Sequence, residues 1–252
     1  MKPQHLTILT GASRGMGLAM AEQLLAPGDT LLCISRQSNA LLAERAHALG
    51  AHLLQWTADL AQATEVSQRL QAWLQAQAGA GYSSATLINN AGVIPPIAPL
   101  SLSEPADLAQ ALRVGLEAPM LLSAVFLRAT DNWPGTRKIL NISSGLGRRA
   151  MASQSAYCAA KAGMDHFTRC LALDEAQKPH GAKVCSLAPG VIDTDMQVQL
   201  RSADSALFPD RSGFAGLHQG GQLTSPDVAA KRVLAFLARA EFGQQPVADV
   251  RD

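Results

Sequence analysis

Tyr157 and Lys161 stand four residues apart in AYCAAKAGMD, a stretch with helical spacing, so both side chains leave one face of one helix. A phenol titrates near pH 10 and is a poor acid–base group at neutral pH. An ammonium group one turn away favours the phenolate and draws that pKa down. Such a pair can trade a proton with a reacting oxygen. Ser144, thirteen residues before Tyr157, closes an apolar run in NISSG. Its hydroxyl can hydrogen-bond a carbonyl oxygen and steady a developing alkoxide. Ser143 is its neighbour and a second candidate for that task. Coincidental packing gives the same spacing, so the rest of the chain must supply the partners that proton chemistry needs.

A second group of residues points to a nucleotide. TGASRGMG, residues 10 to 17, follows the first strand-like run and opens the first helical pattern, with glycines at 11, 15 and 17. Glycines there let a phosphate approach the backbone, and the helix N-terminus offers it unpaired N–H groups. Arg14 lies inside the turn, and Arg36 follows the second strand-like run in CISRQ. In dinucleotide folds that strand end faces the adenosine ribose, where an acidic residue holds a free 2′-hydroxyl. Ser35 and Arg36 occupy the place here. Two guanidinium groups can clamp a 2′-phosphate, so the residues favour NADP(H) over NAD(H).

These groups need a frame, and the hydrophobic periodicity supplies one. Strand patterns run over 6–10, 30–35, 51–56, 85–89, 138–143, 183–188 and 246–250. Helical patterns run over 15–26, 38–49, 62–78, 104–130, 155–178 and 226–240. The strands are too apolar to be half-exposed, which suits a parallel sheet covered on both faces. Alternation of the two element types predicts right-handed crossovers and a doubly wound α/β fold. Pro119 falls inside a helical pattern and predicts a bend. Residues 193–222, rich in Gly, Ser and Asp, break the rhythm. They read as a lid over a site or as a disordered excursion.

Bulk properties narrow the function classes. A chain of 252 residues, 48% hydrophobic and 16% charged, has ample material for a core, and its net charge of +1 predicts neither nucleic acid nor an anionic membrane as partner. Arg148 and Arg149 are adjacent but isolated, and read as a solvated loop. The cysteines, Cys33, Cys158, Cys170 and Cys185, lack C-x-x-C spacing and read as buried free thiols in a reducing cytoplasm. Six scattered histidines give no zinc spacing, so no metal site is expected. The first residues carry no signal-peptide pattern, and MLLSAVFL is too short an apolar run to span a bilayer.

Taken together, the chain resembles the short-chain dehydrogenase/reductase family over almost its whole length. The pieces that carry the resemblance are TGASRGMG, the pair Asp59 and Leu60, NNAG at 89–92, Ser144 with Tyr157 and Lys161, and Pro189–Gly190 followed by Thr194. The resemblance implies a single domain over 1–252: a three-layer, Rossmann-type sheet of about seven strands, with the lid segment at about 193–222. Its implied cofactor residues are Gly11, Ser13, Arg14, Gly15, Met16, Gly17, Arg36, Asp59, Leu60, Asn89, Ala91, Gly92, Pro189, Gly190, Ile192 and Thr194, with Tyr157 and Lys161 gripping the ribose. Asp59 would lie near the adenine, Asn89 would steady the fourth strand, and Thr194 would lie near the nicotinamide amide. Asp59 also has a plain reading as a cap.

Within the family, AYCAAKAGMD, LALDE, PGVIDTDMQ and AEFGQQPVADVRD resemble the sepiapterin reductases and bacterial benzil (diketone) reductases. That branch implies an acidic substrate anchor at Asp249, with Met196 nearby; an Asp at a strand end facing water is the alternative. One position departs from the family. Gly115 stands in RVGLEAPM where an Asn of a proton relay is expected. Either a bound water fills the vacated volume, or the relay is impaired. The expected activity is NADPH-dependent reduction of a small-molecule ketone or α-dicarbonyl by Ser144, Tyr157 and Lys161, in a cytoplasmic homodimer or homotetramer. The alternative is an NADP(H)-binding sensor that has lost catalysis, favoured only by Gly115.

Overall fold

All six residues of the strand Thr30–Ser35 are buried. A strand with no wet face must lie inside a sheet covered on both sides. The computed structural model describes residues 4–252 and shows that arrangement. Seven strands, β1 (His5–Thr10), β2 (Thr30–Ser35), β3 (His52–Thr57), β4 (Ser84–Asn89), β5 (Thr136–Ile142), β6 (Lys183–Ala188) and β7 (Val247–Asp249), form one parallel sheet in the order β3-β2-β1-β4-β5-β6-β7. The chain runs outward from β1 to β3 and then returns to the other side of β1 as β4. A crevice opens beyond the strand C-termini at such a reversal, which is where doubly wound sheets bind ligands.

Helices cover both faces. On one lie α1 (Gly15–Leu24), α2 (Ala40–Leu49) and α9 (Pro226–Ala238), whose Met20, Leu42 and Val233 pack into a buried cluster with Leu9, Leu140 and Leu187. On the other, α3 (Ala63–Ala76) and α5 (Ala118–Thr130) bury Leu70, Leu74, Leu122 and Phe126 against Ile8, Leu87 and Ile139. Helix α6 (Ser155–Ala176) lies beside them and carries Tyr157 and Lys161.

The long helical pattern at 104–130 forms three pieces: α4 (Pro105–Leu112), a π-helical turn (Arg113–Glu117) and α5. Pro119 explains the break. Proline has no N–H to donate and its ring crowds the carbonyl four residues back. Widening the preceding turn, so that Ala118 N–H reaches Arg113 O, accommodates both defects. The expected bend is therefore a π-turn, and Gly115 sits within it. A Cβ on Gly115 would lie 3.0 Å from Ala160 Cβ, so glycine lets this turn approach α6 closely. Residues 105–130 are also long and apolar enough to cross a membrane by length and composition, with half of the most apolar window buried within the protein.

Residues 193–222 hold two helices that the sequence pattern does not announce, α7 (Asp195–Arg201) and α8 (Arg211–Gln219). The ends of the segment are pinned together, with Asp193 N–H donating to Thr224 O and Thr224 N–H to Val191 O, both at 2.9 Å. Phe208, 1% exposed and stacked on Phe214, plugs the middle. The segment is ordered by anchors, not by helix propensity. Among the cysteines, Cys33 and Cys185 are buried, Cys158 is half-buried and Cys170 is exposed, so burial does not extend to all four. No group of three or more metal-ligating side chains is found among the described residues.

Candidate functional site

The crevice at the strand C-termini is a cleft of about 970 Å³. It is lined by every expected cofactor and catalytic residue except Asn89. Asn89 points into the sheet instead, where it donates to Asn141 Oδ1 at 2.8 Å and Ser123 Oγ at 3.3 Å. Asn141 in turn donates to Thr168 Oγ1 at 2.9 Å. This buried polar chain ties β4 and β5 to α5 and α6, so Asn89 steadies the fourth strand and does not face the cleft. The neighbour Asn90 does line the cleft. Its Nδ2 donates to Thr10 O at 3.0 Å and Gly11 O at 3.2 Å, while its N–H and that of Ala91 donate to Thr10 Oγ1. Asn90 is the first residue beyond the paired part of β4, and the rule that such crevices lie past the strand ends would have selected it.

The glycine turn is built by close approach. Gly11 has φ +70°, a left-handed conformation that disfavours side chains, and a Cβ on it would lie 2.9 Å from Ala91 Cα. A Cβ on Gly17 would lie 2.0 Å from Gly11 O, so the first turn of α1 rests on the loop that precedes it. No side chain caps α1, which leaves its first N–H groups facing the cleft. Ser35 Oγ accepts from Ala12 N–H at 2.8 Å and links the turn to β2.

The two arginines expected at the 2′-phosphate have different surroundings. Arg36 lines the cleft and has no hydrogen-bond or ion-pair partner among the described residues. Arg14 is held by Asp195 of α7 at 2.7 Å, with both side chains about 70% exposed. Asp59 accepts from Ala61 N–H at 2.9 Å and caps a short 3-10 turn while also lining the cleft, so both sequence readings describe its position.

At the other end of the cleft, Ser144, Tyr157 and Lys161 converge. Ser144 caps the 3-10 turn Gly145–Gly147, its Oγ accepting from Leu146 N–H at 3.1 Å. Tyr157 and Lys161 are 8% and 4% exposed, and Lys161 Nζ lies 5.8 Å from the Tyr157 ring centroid. Lys161 Nζ donates to Ile142 O at 2.6 Å. The expected depression of the phenol pKa is not found. Burial pushes Tyr157 up to about 12, opposed in part by hydrogen bonding with Ser144. Burial also lowers Lys161 to about 8, against the attraction of Asp165. Desolvation penalises both charged forms and is the largest cause at each. The stable pair near pH 7 is a protonated phenol beside an ammonium group.

Asp249 is 7% exposed and lines the cleft, so it does not face water. Arg251 grips its carboxylate with Nε and Nη2, each at 2.7 Å, and this hydrogen bonding holds the Asp249 pKa below the usual range. Met196 and Gln197 of α7 also line the cleft, and Gln197 Oε1 is buried without a hydrogen-bond partner. Arg148 and Arg149 are exposed, as the solvated-loop reading has them, but Arg148 also reaches inward. It bonds to the buried Asp165, and Arg149 beside it lines the cleft.

Comparison with known proteins places this geometry. A family model described as short chain dehydrogenase matches residues 5–205. A benzil reductase ((S)-benzoin forming) from Bacillus cereus is 34% identical, over 95% of this chain and 96% of its own. A sepiapterin reductase from Xenopus tropicalis is 33% identical, over 92% of this chain and 90% of its own. A metagenomic short-chain oxidoreductase solved in complex with NADP superposes with a TM-score of 0.72 at 25% identity, covering 97% of this chain and 94% of that one.

Proposed function

The chain belongs to the short-chain dehydrogenase family of oxidoreductases, and on that premise we propose that it is an NADPH-dependent carbonyl reductase acting on ketones and α-dicarbonyls. The observation that carries the reading is the convergence of Ser144, Tyr157 and Lys161 in the same cleft as the glycine turn. The names of the benzil and sepiapterin reductase relatives support the dicarbonyl class.

The residues fit the cofactor. The uncapped start of α1 and the glycine contacts leave room for a pyrophosphate, and Arg36 is free to meet a 2′-phosphate. Arg14 can join it, because an exposed ion pair such as Arg14–Asp195 is worth only about 0–1 kcal/mol and exchanges readily. When bound, NADPH supplies hydride. Ser144 donates its hydroxyl proton to the substrate oxygen and orients it, and Tyr157 gives its phenolic proton to the alkoxide. Lys161 holds the ribose and places positive charge beside the phenolate left behind. The segment 193–222 acts as a lid, tied down by Arg14–Asp195 on one rim and by Gln199 Nε2 donating to Pro95 O at 3.2 Å on the other. Two chains pair through the outer faces of α4, α5 and α6, where Leu112, Met120 and Leu173 remain exposed. Gly115, the one feature that favoured a sensor without catalysis, has a packing role against Ala160.

The test is a panel of α-diketones and simple ketones assayed with NADPH and NADH. NADPH oxidation with diketones supports the proposal; cofactor binding with no consumption by any member refutes it. Arg36→Ala is expected to raise the KM for NADPH about 10- to 100-fold, the loss of one charge-assisted contact, and to leave that for NADH nearly unchanged. The pH profile follows from the protonation states. Tyr157 stays protonated below about pH 12, while the Lys161 ammonium is present below about pH 8 and lost above it. Reductase kcat/KM is therefore expected to fall as pH rises through about 8.

A further inference from the structure

Asp165 has no role in the scheme above, yet it lies one turn beyond Lys161 on α6 and is 1% exposed. A buried carboxylate stays ionised only where partners compensate for lost hydration. Asp165 has two on other elements. Ser186 Oγ of β6 donates to Oδ1 at 2.6 Å, and Arg148 Nε meets Oδ2 at 3.3 Å. Arg148 follows the short turn that begins at Ser144, and its Nη2 also donates to Ala248 O at 2.7 Å, next to Asp249. The turn is pressed onto the helix, since a Cβ on Gly147 would lie 2.9 Å from Asp165 Oδ2 and 3.0 Å from Lys161 O. One carboxylate thus joins the helix of Tyr157 and Lys161 to the Ser144 turn and, through Arg148, to the strand of Asp249.

We infer that Asp165 is a positioning residue of the reductase, fixing the Ser144 turn through Arg148 and tying that turn to the helix of Tyr157 and Lys161 and to β6. The inference rests on the proton-transfer reading proposed above. Of the carboxylates that line the cleft, three are ion-paired, as Asp165 is with Arg148. Asp249 is neutralised by Arg251, Asp193 by Arg201 and Asp195 by Arg14. Arg149 lines the same cleft and bears positive charge. The segment packed on α6 from the π-turn presents Gly115 and Leu116, which do not titrate. Cys185 of β6 is kept a neutral thiol by burial, which pushes its pKa to about 12, and Cys158 and Tyr157 are the neighbours on the helix itself. Asp165 is the group that opposes the lowering of the Lys161 pKa by burial.

The experiment compares Asp165→Asn and Arg148→Gln by the pH dependence of kcat and kcat/KM for NADPH-dependent diketone reduction. Asp165→Asn keeps the shape and removes the charge, so the basic limb is expected to move toward acid by about one pH unit. Its deficit against wild type then grows between pH 6.5 and 8. Arg148→Gln is expected to lower kcat about tenfold at every pH by loosening the Ser144 turn, with the limb unmoved and Arg148→Lys restoring part of the loss. Should Asp165→Asn fail to fold, Asp165→Glu keeps the charge and is expected to lower kcat with the limb in place. An unmoved limb in Asp165→Asn, a shifted limb in Asp165→Glu, or wild-type kcat in Arg148→Gln overturns the inference. A wild-type enzyme that reduces no diketone removes the proton-transfer reading first, and the role of Asp165 falls with it.

Discussion

Tyr157→Phe is expected to lower kcat for NADPH-dependent diketone reduction by about 10³-fold, within the range that positioned acid–base groups supply. The expectation follows from burial and from protonation state. Tyr157 is 8% exposed and its phenol is held protonated by burial, so it enters the reaction already carrying the proton the alkoxide needs. Phenylalanine fills the same space and leaves no donor. Ser144 and Lys161 do not substitute for it. The serine proton is committed to orienting the oxygen, and the Lys161 ammonium donates to Ile142 O from within the wall of the cleft. NADPH binding should stay within a few-fold of wild type, because the glycine turn and Arg36 lie at the other end of the cleft. Nicotinamide absorbance measures the first quantity and fluorescence titration the second. Turnover within threefold of wild type would show that another group delivers the proton.

The resting state bears on the direction of the reaction. A phenol with a pKa near 12 beside an ammonium group is a reservoir of protons, suited to reduction. Alcohol oxidation asks the same phenol to act as a base, and burial makes it a weak one. The sequence reading, which took the Tyr157–Lys161 spacing to imply an acidified phenol, considered the charge and not the desolvation. Spacing along a helix reveals which side chains share a face. It carries no information about how much water the fold removes from that face.

The same distinction explains what else was legible. The parallel sheet could be read because buried strands such as TLLCIS carry their environment in their composition. Helices α7 and α8 were not legible, since Phe208 and the Val191–Thr224 pairing order that segment from a distance. Asn90 was missed for Asn89 because adjacent identical residues differ only in which one passes the end of β4. The contact of Arg148 with Asp165 was not legible because the two lie 17 residues apart on different elements. Tertiary partners of this kind leave no local pattern.

Gly17→Ala is expected to weaken NADPH binding by at least about 100-fold, and its cause is geometric rather than chemical. The added Cβ would stand 2.0 Å from Gly11 O and 2.6 Å from Asn90 Nδ2. Neither neighbour can yield cheaply. Gly11 O is backbone in a turn whose φ of +70° few other residues tolerate, and Asn90 Nδ2 is already donating to Thr10 O and Gly11 O. The start of α1 must therefore move off the loop, and its N–H groups lose their aim at the pyrophosphate. Each misdirected charge-assisted hydrogen bond costs about 1.5–3 kcal/mol, so two suffice for the stated loss. The strain should also lower Tm by about 5 °C, as overpacking does in a chain of this size. Gly213→Ala is the matched control. It lies in α8 with nothing within 4 Å of the added atom, and alanine is the better helix former. That variant should bind NADPH as wild type does and melt no lower. Equal NADPH affinities in the two variants would mean that the phosphate is held somewhere other than the glycine turn.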